Sequence, residues 1–146
     1  MIQDIGWLIM GLTLLIQSIW DIRYKEIPIV VTIISGVIGI LLGFWMQRAW
    51  LDVLCALFPG IVCLGISRIT GEAIGYGDGY MLCAMGMYVT CEAVLAIGVM
   101  AIMMGGIFAL VCLVLRRKHG KDQLPFVPFL LVAWVLYAGM QKGIMV

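Results

Sequence analysis

The stretch that decides the fold is YMLCAMGMYVTCEAVLAIGVMAIMMGGIFALVCLVL, Tyr80 to Leu115, an apolar run whose single charge is Glu92. A single helix of that length would reach roughly 54 Å at 1.5 Å per residue, against a hydrocarbon core of about 30 Å. One span cannot account for it. Two helices can, with a turn near Thr90 to Glu92, a short fourth helix, and a fifth from about Ala93 to Leu115.

Outward from this stretch the same character continues. The chain has 146 residues, of which 64% are hydrophobic and 12% charged, and its mean hydropathy is +1.16. Soluble domains are nearer half apolar and a quarter charged, and one of this size has too little interior to hide such a surface. Lipid is the solvent that fits. Lipid cannot hydrogen-bond a free peptide group, so spans are helices or closed barrels. Barrel strands alternate apolar and polar residues, whereas runs such as Ile27 to Met46 are continuously apolar. The expected fold is all-α: a single membrane-embedded domain, polytopic, with about six transmembrane helices.

The other runs are Ile5 to Trp20, softened by Thr13, Gln17 and Ser18; Ile27 to Met46; about Leu51 to Ile66; and Leu124 to Gly139, opening with Pro125 and Pro128. Polar connections separate them: Asp21 to Glu26, Gln47 to Leu51, the Gly-rich Ser67 to Gly79, and the basic Arg116 to Gln123. Cytoplasmic loops favour Lys and Arg. With six spans, one side collects Arg23, Lys25, Arg68, Arg116, Arg117, Lys118 and Lys121, and the other only Arg48 and Lys142. Both termini are therefore expected outside, with Asp21 and Asp78 at the cytoplasmic face. Were Tyr80 to Leu115 one span, the Arg116–Lys121 cluster would move away from those aspartates.

Several functions lack a basis in the residues. A net charge of +1 without charge runs suggests no nucleic-acid partner. None of the five cysteines forms a C-x-x-C pair, so a zinc knuckle or thioredoxin-type motif is not indicated. The lone His119 sits in a basic loop, and Gly75 to Gly79 is followed by neither Lys nor Ser/Thr, so no P-loop is present. No metal or cofactor is implied.

Two of the eight acidic residues stand apart. Asp4, Asp52 and Glu92 read as interfacial charges, and Glu26, Glu72 and Asp122 as solvated loop charges. Asp21 follows an apolar helix without a gap. Asp78 lies in Gly75-Tyr76-Gly77-Asp78-Gly79, just before another. Singly, each has a plain reading: Asp21 as a juxtamembrane charge, Asp78 as a helix N-cap. As a pair at one membrane face they could share a proton. The ionised member would serve as general base on water and the protonated member as general acid.

These residues bring a family into view. The chain resembles the prokaryotic type IV prepilin peptidases, including the preflagellin peptidases, in three segments: Asp21-Ile22-Arg23-Tyr24-Lys25-Glu26-Ile27-Pro28, Gly75-Tyr76-Gly77-Asp78 (the G-x-G-D motif), and Pro125-Phe126-Val127-Pro128-Phe129-Leu130. The resemblance implies a membrane aspartic endopeptidase with Asp21 and Asp78 as catalytic pair. Its partners would be membrane lipid and a prepilin-like substrate, cut between a basic leader and an apolar helix at the cytoplasmic face. Gly75 and Gly77 would let the second motif approach the first, while Arg23 and Pro28 would position the loop and cap the second span. Longer members carry a domain with paired C-x-x-C motifs and methylate the new N-terminus. These residues contain no such pattern, so cleavage without methylation is expected. The family often has Lys where Tyr80 stands and Asn where Ile29 stands, and both departures bear on substrate preference. The alternative reading is a small transporter or assembly subunit whose buried acids relay protons.

Overall fold

The computed structural model describes residues 2–70, 75–115 and 125–144 and forms six helices: α1 (Ile2–Tyr24), α2 (Ile29–Trp45), α3 (Trp50–Ile69), α4 (Tyr76–Gly86), α5 (Cys91–Val114) and α6 (Val127–Ile144). The long apolar run does divide. α4 ends at Gly86 and α5 begins at Cys91, with Thr90 in an extended N-cap conformation. At 11 residues, α4 rises roughly 16 Å, about half a hydrocarbon core.

The division is held from elsewhere in the chain. Where α4 stops, its last carbonyls lose their helical partners. The guanidinium of Arg48, in the α2–α3 turn, donates to the carbonyls of Met87 (3.0 Å), Val89 (2.8 Å) and, at longer range, Gly86 (3.4 Å). It also pairs with Asp52 at 2.6 Å. Gln47, at φ 51, bends the turn that delivers it. In the sequence Arg48 is merely a stray outer charge. In the fold, a planar fork of several donors meets a set of orphaned acceptors. Arg48→Ala would strand those acceptors in a site where the arginine side chain is only 10% exposed, at a cost of about 3 kcal/mol. A clearly lower thermal midpoint in detergent, only partly restored by Arg48→Lys, is the expected result; an unchanged midpoint would refute this role.

α4 packs most extensively on α3 and α2. A Cβ on Gly86 would stand 2.5 Å from the Ala56 carbonyl oxygen, so only glycine permits this approach of two helix backbones. α1 and α6 run antiparallel. Near one end Trp7 lies against Trp134 (centroids 4.1 Å) and stacks on Tyr137 (6.0 Å). At the other end Asp21 meets the start of α6. α5 packs on α6 and α3. The core gathers Met10, Leu14, Met81, Met85, Ile97 and Leu130 from four of the helices.

Polarity is inverted relative to a soluble protein. Leu8, Leu12, Ile33, Leu41, Leu54 and Ile102 are exposed, whereas Thr13, Gln17, Ser18, Asp21, Thr32 and Ser35 are buried. Such a surface belongs in lipid. α1, α3 and α5 are long and apolar enough to cross a membrane, and α2 and α6 contribute shorter apolar helices. The polar residues that weakened the first run therefore face inward, where Thr13 bonds back to the Ile9 carbonyl and Gln17 reaches Thr32 across to α2.

Several boundaries differ from the sequence reading. α1 runs through Asp21 to Tyr24 and stops at Lys25, whose φ is 54 and whose N–H donates to the Asp21 carbonyl at 2.9 Å. Asp21 and Arg23 are thus helical. Helical hydrogen bonding does not need apolar side chains, and hydropathy could not register the extra turn. Pro28 is the N-cap of α2, one position before the helix proper. α3 includes Pro59 and continues to Ile69. Glu72 and the basic loop with Arg116, Arg117, Lys118, His119, Lys121 and Asp122 lie outside the described residues, as does the side chain of Lys142.

Candidate active site

Asp21 stands in the last turn of α1 and is buried, 6% exposed. One of its carboxylate oxygens, Oδ2, accepts a 3.0 Å hydrogen bond from the backbone N–H of Val127. The N–H of Phe126 also bonds this carboxylate. The donors have a simple origin. The first N–H groups of a helix have no intrahelical acceptor. Phe126 occupies the capping position of α6, its carbonyl accepting from Phe129 and Leu130. The Asp21 carboxylate satisfies N–H groups that α6 leaves open.

Asp78 is the third residue of α4 and is partly buried. The cap of that helix is Gly75, whose carbonyl accepts the Asp78 N–H at 3.1 Å. Asp78 is therefore not an ordinary N-cap; it stands in the first turn, past the cap. It lies within electrostatic reach of Asp21 and of Cys63 on α3. Two carboxylates from helices separated by more than fifty positions thus share one end of the bundle. The Arg48 turn marks the opposite end.

Gly77 explains how the two motifs meet. A Cβ there would lie 2.6 Å from Ile27 Cδ1 and 2.8 Å from Ile27 Cβ. The second motif thus rests on the Ile of the first, which only a bare backbone allows. At Gly75 an added Cβ would touch Asp78 Oδ2 at 3.4 Å, an ordinary contact, and φ is −60. Pro28 starts α2, its carbonyl accepting from Val31 and Thr32. Arg23 is exposed on the outer side of the same turn as Asp21.

One turn deeper lies a polar floor. Gln17, four residues before Asp21, is fully buried and donates to Thr32 Oγ1 at 3.0 Å; Thr32 in turn contacts Met81 Sδ at 3.7 Å. The other end of the amide, Oε1, is the one buried side-chain polar atom without a partner among the described residues. Beside the floor, an apolar groove of about 300 Å³ opens between α2 and α4, lined in part by Ile33, Gly36, Tyr80 and Met87. Among the described residues no three His, Cys, Asp or Glu side chains converge as metal ligands.

Sequence reasoning missed the Phe126 and Val127 N–H groups, Ile27 as the rest for Gly77, and Gln17. A signal existed for the first: Pro125 and Pro128 mark a helix start, and helix starts carry open N–H groups. Nothing local says which carboxylate they serve.

Comparison with known proteins places the chain in a family. The model of the type IV leader peptidase family matches residues 8–110, which includes both aspartates and stops before α6. A prepilin leader peptidase/N-methyltransferase of Aeromonas salmonicida is 33% identical over 69 residues, covering 46% of this chain and 24% of the relative. Its namesake from Xanthomonas campestris is 25% identical over 145 residues, covering 92% of this chain and 50% of the relative. The chain thus spans between a quarter and a half of the length of these relatives. No solved structure matches it significantly. With most of its length matched by one family model and both aspartates inside the match, this chain belongs to the type IV leader peptidase family.

Proposed function

We propose that these residues form a membrane aspartic endopeptidase that removes the leader from prepilin-like proteins. What carries the reading is that Asp21 and Asp78 lie within electrostatic reach of one another at one end of a lipid-facing bundle. Two carboxylates so placed cannot both ionise cheaply, so one keeps a proton. The ionised member takes a proton from water as the oxygen attacks the scissile carbonyl. The protonated member polarises that carbonyl. In the second step a proton passes to the departing amine as the C–N bond breaks. Water is added across the peptide bond with no covalent enzyme intermediate.

The proposed substrate carries a short basic leader followed by an apolar helix, cut at the cytoplasmic face with both termini of the enzyme outside. The charge asymmetry of the loops supports that orientation, and family membership supports the substrate class. The Aeromonas and Xanthomonas relatives are named N-methyltransferases as well. The residues here hold no paired C-x-x-C pattern, and we assign them cleavage without methyl transfer. Purified chain in lipid vesicles, given a peptide of leader plus apolar helix, should release the leader by a single cut at the junction. With a methyl donor added, the new N-terminus should stay unmodified. An intact peptide under these conditions would overturn the peptidase reading. Reporter fusions at Val146 should report the outer face; a cytoplasmic signal would overturn the orientation alone.

A further inference from the structure

We infer that the backbone at the start of α6 is the mount of the reacting carboxylate. In this reading the Val127 N–H holds Oδ2 of Asp21, beside the Phe126 N–H on the same carboxylate, and so fixes the orientation in which that carboxylate exchanges a proton with water. The inference rests on the peptidase reading above and adds a positioning residue to it, in a segment the family match does not reach.

The geometry supports this in three ways. The bond has an ordinary N–H···O length, 3.0 Å, and joins residues 106 positions apart, both buried. Its donor belongs to a helix end, where the positive pole of the peptide dipoles also favours an anionic acceptor. The mount is also rigid. α6 is anchored on α1 at its far end by Trp134 and Tyr137 against Trp7, and Val127 and Leu130 are fully buried in the core. A carboxylate on a single helix can rotate about its side-chain bonds. One tied to a second, antiparallel helix is held in one orientation.

The sequence supplies a clean test. Proline is favoured at the first helical position, and it lacks an N–H. Val127→Pro therefore removes this donor while suiting the helix start. The residue before it, Phe126, sits at the cap, where extended backbone is usual and acceptable ahead of proline. In the vesicle assay Val127→Pro should lower kcat about 10- to 100-fold with KM little changed, the range expected for a lost bond to a charged group. Val127→Ala, which keeps the N–H but trims a buried side chain, should lose clearly less than Val127→Pro. Equal losses in the two variants would mean that the side chain matters and the N–H does not, overturning the inference. So would full activity in Val127→Pro.

A second measurement needs no activity and stands if Val127→Pro fails to accumulate or if the peptidase reading is wrong. Hydrogen exchange at the Val127 amide should be slow in the wild type and in Asp21→Asn, whose side-chain oxygen still accepts. It should be fast in Asp21→Ala. Equal exchange in all three proteins would overturn the inference by itself.

Discussion

Asp21→Asn and Asp78→Asn should each lower kcat for the proposed leader cleavage by about a thousandfold or more, the scale of positioned acid–base catalysis. Asparagine matches aspartate in shape and keeps an oxygen able to accept the Val127 hydrogen bond, so the bundle has little reason to rearrange. What it cannot do is carry a mobile proton. Both variants should insert and accumulate like the wild type, and the double variant should be little worse than either single one, since the two groups act as a unit. Effects that simply multiply would argue for two independent roles. Retained cleavage in both single variants would remove the pair from catalysis and return them to the plain readings of an interfacial charge and a helix-end acid. A proton-relay subunit, the other class of function compatible with the sequence, would show no cleavage in the wild type either.

The second large effect is at Gly77. Adding one methyl group places a carbon 2.6 to 3.0 Å from three atoms of Ile27, closer than real side chains approach. Either Ile27 moves, disturbing the turn that follows Asp21, or the start of α4 moves, taking Asp78 with it. Overpacking of this kind costs about 1–3 kcal/mol, and a displacement of about 1 Å at a reacting group can cost roughly a hundredfold in rate. Gly77→Ala should therefore lose activity by about that factor. Adding Ile27→Ala removes two of the three clashing atoms and should recover part of it. Gly75→Ala is the contrast. Its new carbon meets only ordinary contact and its φ needs no glycine, so activity should change little. If Gly75→Ala is as damaging as Gly77→Ala, the contact with Ile27 is not what the second glycine is for.

Much of the architecture is legible in the sequence. Hydropathy accumulates residue by residue, so the runs beginning at Ile5, Ile27 and Leu51 announce helices without knowledge of their neighbours. Errors gathered at the ends, where helical hydrogen bonding outruns apolar composition. Asp21 and Arg23 belong to the last turn of α1, and α4 begins at Tyr76, so Asp78 is a residue of the first turn and the plain N-cap reading of it does not hold. Arg48 is the residue whose role the sequence shows least. Nothing beside it in the chain hints that its partners are carbonyls nearly forty positions away.

The chain by itself determined the lipid environment, the number of helices and the two aspartates worth watching. Each of these follows from local composition or from a short spacing of residue types. Tertiary structure alone decided that Gly77 rests on Ile27, that Arg48 closes the break between α4 and α5, and that the open N–H groups of α6 serve Asp21. Those are meetings of distant segments. A helix end offers the same N–H groups whatever it faces, and only packing selects the carboxylate that fills them.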